Sequence, residues 1–260
     1  MYKRQQLPRE VLRELKKGID GTFREFSRGY GEAIENFFHP LLMFLKWFQD
    51  LLIETPWPLI LVILGALSWW GSRSWKMVVG TVLAFLFIGW LDMWEDTMAT
   101  LAIVSVATLL CIAIGIPIGI LMARSDRVQA MILPVLDIMQ TIPSFVYLIP
   151  VVMLLGIGKV PGLLAVMIYA IPPIVRLTNL GIRLVDKEVL EAADAFGSSY
   201  RQKLFQVQIP LALPNIFAGV NQTIMMALSM VVIAAMIGVP GLGVPVLRAV
   251  SNQYLSLIHI

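Results

Sequence analysis

The sequence predicts an all-α, polytopic integral membrane protein with about six spans, and three observations carry that reading. Of 260 residues, 58% are hydrophobic and only 14% are charged, against about 25% charged in an ordinary soluble domain. The stretches 97–122 and 204–247 contain no Asp, Glu, Lys or Arg, and each exceeds the ~20 apolar residues that cross ~30 Å of hydrocarbon. Lysine and arginine then fall on alternate inter-span loops, as the positive-inside rule requires.

Taken in chain order, residues 6–36 are charged and mixed in sign, which predicts an amphipathic or loosely ordered tail. Residues 37–53, "FFHPLLMFLKWFQDLLI", are apolar but carry Lys46 and Asp50, so they read as an interfacial helix lying on the membrane. Spans are expected near 57–71, 76–91, 97–122, 131–155, 160–182 and 214–238. "TPWP" opens the first of them with two prolines around an interfacial tryptophan. The corresponding domain division is 1–56 for the tail and interfacial helix, 57–96 for two accessory spans, and 97–260 for the core.

Arg73 and Lys76, then Arg124 and Arg127, then Arg183, Lys187, Arg201 and Lys203 occupy one set of loops, which is therefore cytoplasmic. The opposite loops hold Asp92, Glu95 and Asp96, then Lys159, then "VPGLGVP". The tail is thus expected outside, although residues 1–50 contain nine Lys and Arg, because long tails translocate largely regardless of charge. The extreme ends are expected to be foreign. "MYKRQ" and "LSLIH" can be encoded by opposite strands of one short oligonucleotide, so residues 1–5 and 255–260 read as adapter read-through and the natural chain is expected to continue.

Composition also excludes function classes. The net charge of +3 serves loop topology, so no nucleic-acid partner is expected. The lone Cys111 sits in an apolar run, which rules out an intrachain disulfide and a multi-cysteine metal site. His39 and His259 are isolated, no nucleophile–base arrangement is evident, and no phosphate-binding G-x-x-x-x-G-K-[ST] occurs. No catalytic, metal or cofactor-binding residue is therefore expected in this chain. Pro117, Pro134, Pro143, Pro150, Pro172 and Pro173 punctuate the spans, and each removes a backbone donor. Gly115 and Gly119 form G-x-x-x-G, a close-approach surface for a neighbouring helix, as do Ala234, Ala235 and Gly238.

One polar interruption, residues 186–214, has clear local mechanics. Asp186 is a helix N-cap, and Val189, Leu190, Ala193 and Phe196 form an apolar stripe. Gly197 supplies the left-handed residue that ends the helix. Ser198 or Ser199 caps a second short helix with Tyr200, Leu204, Phe205 and Val207 as its apolar positions, and Pro210 stops or bends it. Neither helix is long enough to be stable alone in water, so the exposed apolar residues need a partner surface.

That spacing carries a resemblance. "EAA", three residues, Gly, nine residues and "VQIP" resembles the EAA loop of ATP-binding-cassette importer permeases. Glu191, Ala192, Ala193, Gly197, Val207, Ile209 and Pro210 occupy the motif positions, with Val207 and Ile209 as conservative departures from Ile and Leu. The resemblance covers about residues 97–254 and implies the type-I permease fold, with 186–210 as the loop that couples to an ATPase. "LDIMQTIPSFVYLIP" (136–150), "GVNQTIMMALSMVVIAAMIG" (219–238) and "PGLG" (240–243) resemble the permeases of glycine betaine/proline-betaine importers more narrowly. Members of that family continue with a further span.

The resemblance implies a transporter subunit and not an enzyme. ATP and Mg would sit on separate cytoplasmic ATP-binding subunits, with a second permease copy completing the path. An external substrate-binding protein would deliver the solute, all in a bacterial or archaeal cytoplasmic membrane. Glu191 is expected to position the coupling loop by hydrogen bonding or charge pairing. Asp137, the acid inside span four, is expected mainly in a structural role, with pathway lining as the alternative. Asn221 and Gln222 are expected to bond across helices, with pathway lining or gating as the alternative. Pro143, Phe145 and Tyr147 are pathway or gating candidates, whereas Trp90 and Trp94 read as an interface belt. A permease for amino acids or another small solute is one alternative. An ATP-independent secondary transporter or channel is another, and it would require paired intramembrane charges, of which the sequence offers little beyond Asp137.

Overall fold

A computed structural model describes residues 9–254, and the expectations about residues 1–5 and 255–260 lie outside the described residues. The elements are α1 (Arg9–Glu54), α2 (Trp57–Ser72), α3 (Trp75–Trp90), α4 (Trp94–Arg124), α5 (Asp126–Thr141) and α6 (Ser144–Leu155). They continue with α7 (Lys159–Arg183), α8 (Lys187–Ala195), α9 (Tyr200–Gln202), a π-helical segment (Lys203–Gln208), α10 (Ile209–Ala234), a 3-10 turn (Ala235–Ile237) and α11 (Gly243–Asn252). No strand occurs among the described residues.

The core is α4, α7 and α10, and glycine sets how closely they pack. A β-carbon on Gly119 would lie 2.6 Å from Thr178 Cβ and 2.8 Å from the Val175 carbonyl oxygen, and one on Gly115 would lie 2.5 Å from Ile174 Cγ2. The expected G-x-x-x-G is thus the seam between α4 and α7. Gly181 and Gly219 do the same between α7 and α10, against Asn215, Ala212 and Ile174. The seam residues Ala107, Cys111, Val166, Ile174, Val175, Ala212 and Met230 are all buried. At the other end, Leu242 N–H donates to Thr100 Oγ1 at 2.8 Å, pinning the "PGLG" turn to the start of α4.

Three expectations about elements are corrected. Residues 9–54 form one continuous 46-residue helix, not a tail followed by a separate interfacial helix. Its last turns are held by packing: Leu45 and Gln49 are buried, and Lys159 Nζ donates to Gln49 Oε1 at 2.6 Å. Asn36–Glu54 then meets α2 at 107°, where Pro56 holds φ −53 and ψ 130. Span four is not one helix. It breaks between α5 and α6 at an angle of 103°, because Pro143 has no N–H to donate and Ile142 is extended at φ −71, ψ 130. Pro210 does not stop its helix: Tyr200–Ile237 runs on for 38 residues. A wide π turn over Lys203–Gln208 comes just before this proline, which cannot donate to the carbonyl four residues back.

By length and composition α4, α7 and Tyr200–Ile237 each suffice to cross a membrane alone, and two bent pairs raise the number to five. The remaining expected span, 76–91, is α3, whose 16 residues fall short of the ~20 that a straight crossing needs. It buries no residue and exposes Leu83, Phe87 and Trp90, as a lipid-facing helix would.

Candidate functional site

The polar interruption folds into a helix–glycine–helix hairpin at the end of the bundle that carries Arg124 and Arg183. Asp186 Oδ1 accepts the Glu188 N–H at 2.9 Å and starts α8. Gly197, at φ 76, ends it: its own N–H donates to Asp194 O at 2.9 Å, and Ser198 N–H donates to Ala193 O at 3.1 Å. Ser199, not Ser198, caps the next helix. Its N–H donates to Gln202 Oε1 at 2.8 Å, and its Oγ accepts from Gln202 N–H at 3.4 Å, a complete capping box.

Ionic contacts then fix the hairpin as a unit. Lys203 Nζ sits 2.6 Å from Asp194 Oδ1, clasping the two helices across the turn. The Arg124 guanidinium lies 4.3 Å above the Tyr200 ring, a cation–π contact that ties the hairpin to the end of α4. Arg183 gathers the base: it meets Asp126 at 2.7 Å, Asn179 Oδ1 at 3.0 Å and the Met122 carbonyl at 2.8 Å. One buried side chain, Leu204, anchors the second arm. Half of the apolar stripe is turned outward: Val189, Tyr200 and Phe205 are exposed, and Phe196 is 91% exposed, while Leu190, Ala193 and Val207 are half-buried.

The motif residues divide accordingly. Glu191, Ala192 and Pro210 lie on the outer surface, while Ala193, Val207 and Ile209 are half-buried. Among the described residues Glu191 makes no salt bridge, and the clasp across the glycine turn is made by Asp194. The sequence reading had passed over Asp194.

The second cluster surrounds the break in span four. Asp137 on α5 pairs with Arg176 on α7, Oδ1 to Nη2 at 2.5 Å. Sequence reading missed Arg176, although a lone guanidinium inside the apolar run 160–182 was the available signal. Pro143 and Phe145 are exposed at the break, while the Tyr147 side chain lies outside the described residues. Asn221 and Gln222 are exposed, and among the described residues neither makes a cross-helix hydrogen bond. The buried polar neighbour on that helix is Thr223. Trp90 and Trp94 sit with Trp57, Phe85 and Glu54 around a cavity of about 590 Å³, far along the chain fold from both clusters.

The helical bundle thus ends in a clasped polar hairpin with outward apolar side chains. The chain belongs to the family of binding-protein-dependent transport system inner membrane components, which matches residues 115–259. It is 50% identical over 221 residues to the glycine betaine/proline betaine transport system permease protein ProW of Escherichia coli, covering 85% of this chain and 62% of that protein. It is 46% identical over 239 residues to the glycine betaine/carnitine transport permease protein GbuB of Listeria monocytogenes, covering 91% and 83%. The chain therefore spans less than two thirds of the Escherichia coli relative. Among solved structures, the MetNI methionine ABC transporter in an inward-facing conformation matches with a TM-score of 0.57 at 21% identity, covering 64% of this chain and 83% of that one. This likeness concerns the fold.

Proposed function

We propose that this chain is the permease subunit of an ATP-driven importer for a betaine-type compatible solute. The observation that carries the reading is the hairpin at 186–210. It is internally clasped, projects from the end rich in arginine, and presents Phe196, Tyr200 and Phe205 to a missing partner. The partner is a cytoplasmic ATP-binding subunit, which holds ATP and Mg. Because the hairpin is braced to α4, α5 and α7 through Arg124 and Arg183, movement of the ATPase passes to the core as a rigid-body displacement. Two copies of the chain enclose the path, and a binding protein outside delivers the solute. Glu191, Ala192, Ala193, Gly197, Val207, Ile209 and Pro210 form the coupling surface. The end bearing Asp92, Glu95 and Asp96, with the α1 tail, faces outward.

The solute class is supported by these relatives, named for glycine betaine, proline betaine and carnitine, all ammonium carboxylates without an N–H. The Asp137–Arg176 pair is the one observation that favours an ATP-independent secondary transporter, which requires intramembrane charges. Reconstitution of the full-length chain in liposomes separates the two. Betaine uptake that needs both the neighbouring ATPase and ATP is expected, and uptake persisting without the ATPase would overturn the importer reading.

A further inference from the structure

We propose that Asp137 and Arg176 form the zwitterion-selective station of the transport path: they hold each other when the path is empty and exchange onto the two ends of the solute as it passes. This rests on the importer reading above and names the residues that would sense the solute's charges.

Both residues lie inside apolar spans, yet the pair is open on one side: the Asp137 side chain is 61% exposed and that of Arg176 33%. Exposing such charges to lipid tails is costly, so an open intramembrane pair faces protein or water. An independent feature of the same segment agrees. The backbone is broken at Pro143, six residues along from Asp137, and irregular backbone at membrane depth is tolerated only against protein or a water-lined cavity. The α5–α6 corner therefore borders the route, with its charges directed there.

The bonding of the pair is incomplete in a way that suits exchange. Among the described residues Arg176 contacts Asp137 through Nη2 alone, and its buried Nε has no hydrogen-bond partner. A guanidinium has five N–H donors in a planar fork matched to a carboxylate. A solute with a carboxylate at one end and a quaternary ammonium at the other satisfies both residues at once, the first on Arg176 and the second on Asp137. One ion pair becomes two, and no uncompensated charge appears in the low-dielectric span, where it would be heavily penalised. A solute with a single charge strands one member of the pair. Selection of zwitterions follows from charge conservation, without a close-fitting pocket.

The test uses the full-length permease with its ATPase, without the binding protein, and measures binding of radiolabelled glycine betaine. Competitors are choline, which has the ammonium alone, and tert-butylacetate, a carbon isostere with the carboxylate alone. Wild type should prefer betaine over each by about tenfold. Arg176→Gln should abolish the preference over choline, and Asp137→Asn that over tert-butylacetate. The double variant Asp137→Asn/Arg176→Gln, which leaves no unpaired charge to unfold it, should lose both. Preferences unchanged in all three variants, or no betaine binding by the wild type, would overturn the assignment. ATP-driven betaine uptake by the wild-type complex with its binding protein is measured in parallel. Its presence with unmoved preferences sinks only the station, while its absence sinks the importer reading and the station together.

Discussion

Replacing Phe196 with alanine should separate folding from function. The ring is 91% exposed at the tip of the hairpin and makes no buried contact within the chain, so truncation leaves bundle stability within about 0.5 kcal/mol. Against a partner the same exposure becomes available area. A phenylalanine buries ~200 Å², and losing all but its β-carbon at a desolvated contact forfeits about 2–3 kcal/mol. That corresponds to roughly a 30- to 150-fold rise in Kd for the ATPase subunit. The assay is titration of the purified ATPase onto the permease in nanodiscs, with melting temperature and membrane abundance recorded beside it. Phe196→Ala with an unchanged Kd would refute the claim that the outward stripe is a docking surface. A collapse in melting temperature would refute the claim that the ring is idle in the free chain.

Further outcomes follow from the same geometry. Gly119→Ala should destabilise by about 1–3 kcal/mol through the clash with Thr178 and the Val175 carbonyl. Gly80→Ala, with nothing within 4 Å of the added carbon, should be neutral or mildly stabilising; equal melting temperatures for the two would count against the seam. Gly197→Asn should keep ATPase coupling, because Asn adopts positive φ readily. Gly197→Val should impair coupling at a cost of about 1–2 kcal/mol, read as uptake per ATP hydrolysed. Ser199→Ala, which removes half of the capping box, should cost about 1 kcal/mol and increase hydrogen exchange at Tyr200–Gln202. Pro143→Ala should restore the missing donor and let α5 and α6 merge, reducing uptake at normal abundance; full uptake would deny the break a role.

The sequence exposed the features set by local chemistry. Long uncharged runs marked α4 and α10, and the hairpin's start and turn were legible because Asp186 and Gly197 act on backbone within a few residues of themselves, as does the second cap, left between Ser198 and Ser199. What escaped was decided by tertiary context. Pro117, Pro134, Pro150, Pro172, Pro173 and Pro214 all lie within continuous helices, whereas Pro56 and Pro143 stand where two helices meet at a sharp angle. Their local chemistry is the same, so nothing in the string ranks them. The partner of Asp137 is 39 residues away on another helix, beyond any helical periodicity. Glu191 stood out through its motif, whereas Asp194 found Lys203 only because the glycine turn folds one arm back on the other. The mixed charges of residues 9–35 obscured a helix that continues directly into a packed segment.

The unbroken run Tyr200–Ile237 has a mechanical consequence. At 38 residues and 1.5 Å per residue it is a rod of ~57 Å, rooted at one end in the hairpin and at the other in the 3-10 turn before Gly238. A tilt of about 5° pivoting at the hairpin would sweep the far tip by about 5 Å, close to one helical turn. Under the coupling proposed above, a small rotation of the hairpin becomes a larger displacement at the far end of this run.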